Sequence, residues 1–530
     1  RRETKMGRRE SYVVTPLGSS SPEKPRPMSD SSSLATVSIG GDGAVKKAEA
    51  LGDFAGHAHG ISWIVAAIFI IGDMVGGGLV SLPLAMIDTG VYAGVFVTFL
   101  GAVTSGYTGV QLGVNWVMLQ NRWHEYRTAC RKPYPAMAYR AIGTGAMHFT
   151  SACIIATQFS ISVVFLLLAS KNISLLLVAF FDVHFSSCIL TLCVALAVLP
   201  LIMLESPKDF WQIAVGAMAS TSFAVILILI NTFHDAEKCA PAADFPPVEA
   251  KKFFLAYGTI IFAYGGHAAF PTIQHDMKNP AQFGRAVTVA YIIIFCLYAP
   301  VCIACYVVYG GSITDTIVTS LQIGWIQKTV TILITLHVFL TIVIVYSPLS
   351  QGVEDFVGIQ RRFGAPRIAL RASLMALSTF VALSMPNFGV VLDLVGGSTI
   401  TMMTMLLPSI FYLFLVAGER KRQYLLESGQ LSADAEDDIR AGIVDVFKYN
   451  NKLLLLGNIL VLLFGFTGGV VATYSAIDSL VSTNFIAPCY VLVFQDKLPQ
   501  ENGGSVSCCG VYRNITTIDG AGFNFCSTIS

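Results

Sequence analysis

Eleven apolar stretches, most of them close to twenty residues long, run through this chain of 530 residues, and they limit its fold more than any other feature. A bilayer's hydrocarbon core is about 30 Å thick, which an α-helix crosses in about 20 residues. A helix satisfies its own backbone, as lipid requires. The spans are expected at Ser62–Met86, Val91–Leu119, Met147–Ala169, Ser187–Leu204, Trp211–Thr232, Phe253–Gln274, Ala286–Tyr309, Ile326–Pro348, Ile368–Met385, Phe388–Val416 and Leu453–Tyr474, the last extending toward Leu480. Only 13% of residues are charged and 54% are hydrophobic, against about 25% charged in soluble proteins. The expected class is an all-α, multi-pass membrane protein embedded in a lipid bilayer. A net charge of +1 provides no field for nucleic acid.

Lys and Arg accumulate on the cytosolic side of membrane proteins. Outward loops hold only Lys171, Lys238, Lys251, Lys252 and Lys328 if the amino terminus is cytosolic, whereas inward loops hold clusters such as Arg127, Arg131, Lys132 and Arg140, or Arg361, Arg362, Arg367 and Arg371. Residues 1–58 are polar and serine-rich and read as a disordered cytosolic tail. Residues 59–482 form the membrane domain, and 483–530 an extracellular or luminal tail with a glycosylation sequon at Asn514. Cys188 and Cys239 both fall at outward ends, which makes a disulfide between them a candidate. Cys302 and Cys305 form a CxxC inside an apolar run, without the βαβ context of a redox motif.

Two spans are interrupted. The first contains Gly76, Gly77 and Gly78 followed by Pro83, and the sixth contains Gly265, Gly266 and His267 followed by Pro271. Each glycine costs about 1 kcal/mol of helix stability relative to Ala. Three in a row face every direction, which favours an unwound turn over a packing stripe. Unwinding in lipid leaves peptide groups unpaired, so such breaks belong over a cavity, and their recurrence five spans apart marks a transporter's substrate site. Amides at Gly76–Gly78 suit a carboxylate. Freed carbonyls of the sixth span, with Phe262 and Tyr264, suit an ammonium group. Together they describe a site for an amino acid.

The run VGGGLVSLPLAMIDTG resembles the first-span signature of the amino acid/auxin permease family, and FAYGGHAAFPTIQHDMKNPAQF is similar to the sixth-span region of that family's vacuolar and vesicular members. The resemblance covers roughly Gly60 to Leu480. It implies eleven transmembrane helices arranged as a leucine-transporter-type five-plus-five inverted repeat, residues 62–232 and 253–416, with an extra helix at 453–480. It also implies alternating-access movement of amino acids, often driven by protons.

Ionisable groups inside a membrane are functional candidates by default. Asp73, one turn before the glycines, either couples a proton, caps freed amides or faces outward. His267 either binds substrate, carries a proton or holds loosened backbone. Asp393, near the outward end of the tenth span, is a weaker coupling candidate, and His337 reads as a packed residue. Thr331, Thr335 and Thr341 either ligate sodium or bond to their own helix. The expectation is a transporter of small neutral amino acids in a plasma, vesicular or lysosomal membrane, without cofactor or metal, driven by a proton or alternatively a sodium gradient. The competing reading is an amino-acid sensor signalling through the amino-terminal tail. No HExxH, GxSxG or Walker A lysine points to an enzyme or ATP-driven pump. The oligomeric state stays open, a monomer being compatible.

Overall fold

The first span divides into α1 (Trp63–Met74) and α2 (Gly77–Thr89), which meet at 58°. They belong to a computed structural model that describes residues 60–127, 130, 132–203, 210–359, 364–432, 439–483 and 488–494. The amino-terminal tail and Asn514 lie outside the described residues. Next come α3 (Val91–Arg122), a short α4 (Pro133–Ala141), α5 (Thr144–Phe181), α6 (Ser187–Ile202) and α7 (Phe210–Cys239). The sixth span also divides, into α8 (Ala250–Ala263) and α9 (Phe270–His275). Three long helices follow, α10 (Phe283–Tyr309), α11 (Gly324–Val357) and α12 (Ala365–Ser384). The tenth span joins α13 (Phe388–Val395) to α14 (Leu407–Glu427) through two π-helical turns, Gly396–Ile400 and Met402–Leu406. Last come α15 (Ile443–Tyr449), α16 (Lys452–Asp478) and α17 (Cys489–Phe494).

Each of the eleven expected spans coincides with helix. Among the described residues, eight helices are long and apolar enough to cross a bilayer, or nine when the bent α1–α2 pair counts as one. The other two are shorter: α6 has 16 residues, and the sixth span has 14 in α8 and 6 in α9. The first break is narrower than three adjacent glycines suggest. Only Val75 and Gly76 lie between the helices, and Gly77 and Gly78 already belong to α2.

Close backbone approaches set the arrangement around the breaks. A Cβ on Gly78 would lie 2.6 Å from the Cα of Ala263, so the start of α2 rests directly on the end of α8. A Cβ on Gly72 would meet the Ala214 carbonyl oxygen at 2.5 Å, which seats α1 on α7 in the same way. Small residues let membrane helices approach backbone to backbone, where dispersion contacts replace the missing hydrophobic drive. At the other end of the broken pair, Ile61 N–H donates to the Asp276 carbonyl and Lys278 N–H to the Ile61 carbonyl, both at 2.9 Å. The start of the first span is thereby stitched to the end of the sixth.

Away from the breaks, a buried ion cluster ties three helices. The Glu354 carboxylate on α11 accepts from Arg371 Nε at 2.7 Å and Arg367 Nε at 3.1 Å, both on α12, and Arg371 also donates to the Ile202 carbonyl that ends α6. Removing one partner from such a buried set costs about 3–5 kcal/mol, because the other charge is stranded.

The expected Cys188–Cys239 bridge is corrected by the fold. Cys188, at the start of α6, is bonded to Cys489 in α17, 301 positions away in sequence. Cys239 is itself disulfide-bonded, but not to Cys188. Both lie at helix ends, yet the segment after α16 folds back beside α12, where Phe380 and Tyr490 stack at 5.9 Å, and this brings Cys489 to α6. Cys302 and Cys305 are buried free thiols.

Candidate substrate site

A cavity with about 550 Å³ of empty space, mouth included, lies where the two breaks meet. The first span contributes Asp73, Gly77 and Gly78, and the sixth contributes Phe262, Gly265, Gly266 and His267. Asp73 stands in the last turn of α1 and is half-buried at the cavity wall. No hydrogen bond or ion pair holds its carboxylate among the described residues, so the capping role is not the one it plays. Among the described residues, no Lys or Arg lines the cavity.

Gly76 is the N-cap of α2 and supplies no side-chain cap; Leu79 N–H donates to the Gly76 carbonyl at 3.1 Å, which leaves the Gly77 and Gly78 amides without an intrahelical partner. Gly77 and Gly78 then reach the cavity without side-chain bulk. Gly76 itself points away from it. A Cβ there would overlap the His337 imidazole, which fills the outer side of the turn. His337 Nδ1 donates to the Ala217 carbonyl at 3.1 Å and lies 2.8 Å from the Thr221 hydroxyl, while Nε2 meets the Thr341 hydroxyl at 3.2 Å. Both ring nitrogens are occupied, as expected of a packed histidine. Thr331, Thr335 and Thr341 each donate to a carbonyl four residues back in their own helix.

His267 behaves differently. Its Nε2 lies 3.0 Å from the Ser105 carbonyl oxygen and 3.2 Å from the Thr108 hydroxyl, both on α3. A carbonyl only accepts, so the proton is on Nε2, and the neutral ring presents Nδ1 as a bare acceptor. That nitrogen is buried and has no partner among the described residues. Phe270 stacks on the ring at 4.6 Å between centroids, fixing its plane.

Tyr264 does not face the cavity. It is fully buried and packs beside Tyr291 and Tyr298 of α10. The carbonyls freed by the breaks are also largely spoken for. The Tyr298 hydroxyl lies 3.1 Å from both the Met74 and the Ala263 carbonyl oxygens, one from each break, and the Tyr291 hydroxyl donates to the Tyr264 carbonyl at 2.9 Å. Two side-chain groups at the cavity without a hydrogen-bond partner among the described residues are the Asp73 carboxylate and His267 Nδ1. Asp393 also stands apart. It accepts a hydrogen bond from Thr259 Oγ1 on α8 and does not reach the cavity.

Sequence reasoning did not single out the opposing wall. Thr157, Gln158 and Phe165 of α5 and Ile400, Met403 and Thr404 of the tenth span complete the cavity. Nor did it single out the tyrosine pair of α10, although Tyr291 and Tyr298 are seven residues apart, two turns along one face, which was a readable signal.

An all-helical membrane protein whose first and sixth spans break against one another defines the class. Solved structures with this fold include that of MhsT in complex with L-phenylalanine, with a TM-score of 0.50 and 13% identity over 80% of this chain and 100% of the other. A manganese transporter of Eremococcus coleocola gives 0.51 and 10% over 82% and 90%. The fold is thus of the leucine-transporter type. Residues 59–428 match the sequence profile described as Transmembrane amino acid transporter protein, and the chain belongs to that family. Among its relatives in Arabidopsis thaliana, Amino acid transporter AVT1C is 24% identical over 64% of this chain, and AVT1D is 22% identical over 77%. The matched region spans 61% of AVT1C and 68% of AVT1D.

Proposed function

We propose that this protein is a secondary active transporter of small neutral amino acids, coupled to protons and working by alternating access around the two breaks. The observation that carries the reading is one cavity combining a free helix start with two unpaired acceptors. The substrate carboxylate is held at the uncapped start of α2, where amides and the helix dipole favour an anion. The ammonium group is held by Asp73 and His267 Nδ1. Among the described residues no Lys or Arg lines the wall to pair with an acidic side chain, which supports neutral substrates.

Asp73 is also the coupling group. Its carboxylate lies inside the membrane without a fixed partner, so it exchanges a proton as the cavity opens to either side. We place the amino terminus in the cytosol, in a vesicular or plasma membrane. Oxidised Cys188, Cys239 and Cys489 support this placement, since they fall on the opposite side, in an oxidising space. The relatives, named as amino acid transporters, support transport over catalysis or sensing.

The test is uptake by reconstituted protein across a panel of amino acids, with proton and sodium gradients imposed separately. Neutral amino acids should accumulate with a proton gradient and without sodium. Asp73→Asn should retain exchange of internal for external substrate while losing proton-driven accumulation. Equal uptake with and without both gradients would remove coupled transport, and accumulation unchanged by Asp73→Asn would clear that residue.

A further inference from the structure

The tenth span is irregular at the cavity, and one of its hydroxyls stands out. Thr404 lies in the π-helical turn Met402–Leu406, is 1% exposed and lines the cavity, yet its Oγ1 has no hydrogen-bond partner among the described residues. Thr150 and Ser409 also carry buried, unpaired hydroxyls, but among the described residues Thr404 is the one of these that lines the cavity; Thr331, Thr335, Thr379 and Thr401 each donate to a carbonyl of their own helix. A buried hydroxyl left unpaired costs about 1–3 kcal/mol. A π-helical turn shifts the side chains that follow it relative to a regular helix, and such turns are frequent at functional sites. The same wall holds Ile400 and Met403 from the tenth span and Phe165, Thr157 and Gln158 from α5, the Thr157 hydroxyl being engaged with the Cys153 carbonyl of its own helix.

We infer that the Met402–Leu406 turn reads the substrate side chain and that Thr404 is its specificity-determining residue, selecting neutral amino acids whose side chain carries a hydroxyl or carboxamide over aliphatic ones of similar size. The inference rests on the amino-acid reading of the site. The two halves of the cavity then have separate tasks. The breaks hold the groups that every amino acid shares, and the tenth span discriminates by what lies beyond the α-carbon. A site that hydrogen-bonds a polar substrate group discriminates against the analogue lacking it. The same hydroxyl loses nothing further when the cavity holds an aliphatic chain, so selectivity comes from gain with the polar substrate.

The experiment compares wild type, Thr404→Val and Thr404→Ser in proteoliposomes, measuring initial uptake of glutamine, threonine, leucine and valine and the thermal stabilisation each confers on detergent-purified protein. Thr404→Val keeps the shape and removes only the hydroxyl. It should lower the glutamine-to-leucine and threonine-to-valine ratios about tenfold, the effect of roughly one lost hydrogen bond to substrate, with leucine uptake preserved. Thr404→Ser should retain the wild-type ratios. Equal loss across all four substrates, or unchanged ratios in Thr404→Val, would overturn the inference while leaving the transporter reading intact. Thermal stabilisation of the wild type by none of the four would instead overturn the site reading, and this inference with it. If Thr404→Val does not fold, wild-type ratios that favour leucine and valine overturn the proposal on their own.

Discussion

The first and sixth spans carry the same written signal, glycines followed by proline, and the fold uses them in opposite ways. The first break is two residues long and clamped on both sides, by His337 against Gly76 and by Ala263 against Gly78. The second leaves six residues between helices, and its glycines meet movable side chains: a Cβ on Gly266 would lie 2.9 Å from Met74 Cγ and from a Phe270 ring carbon. The two histidines repeat the contrast. His337 is paired at both nitrogens, whereas His267 keeps Nδ1 bare. Interruption of a helix therefore does not by itself define a role. The first break is short and closely packed and leaves the Gly77 and Gly78 amides open, whereas the second is longer, packed by side chains, and carries the unpaired His267 Nδ1.

The largest effect should come from breaking the clamp. Gly76→Ala pushes a methyl into the His337 ring and should bring uptake to background, measured beside surface expression. Pairing it with His337→Ala should restore a measurable part, since the obstruction is a side chain. Gly266→Ala, the matching change in the second break, should lower uptake only a few-fold, and an equally severe loss would erase the proposed asymmetry. Next is His267→Gln, which should raise the apparent KM for neutral amino acids about tenfold, as expected for one lost hydrogen bond to a charged group. His337→Gln should leave KM near wild type, and a matching rise would equate the histidines. The smallest effect is expected of Tyr298→Phe. It removes one hydroxyl shared by two carbonyls, one on each break, and should cost about 1–2 kcal/mol of thermal or denaturant stability. Unchanged stability would mean that the two carbonyls find other partners.

Much of this was legible in the order of residues. Glycine clusters and prolines marked both breaks, and Asp73 and His267 reach the cavity as their spacing from the glycines suggested. Other readings failed for one common reason. Tyr264, one residue before Gly265, turns into the tyrosine layer of α10, and Gly76, one residue before Gly77, turns toward α11. A helix turns about 100° per residue, so adjacent positions face different neighbours. The sequence names the turn without naming what lies opposite.

The chain's own order of residues determined where helices run, where two of them stop and which polar groups enter the membrane. These are local properties, fixed by the length of apolar runs and by glycine's weak hold on a helix. Tertiary structure decided the rest. It joined Cys188 to Cys489 rather than Cys239, gave the freed carbonyls to Tyr291 and Tyr298, and set Thr404 against a cavity more than 300 residues from Asp73 in sequence. Each of these depends on which distant helix arrives alongside, and that is settled only when backbones close enough to touch exclude every other arrangement.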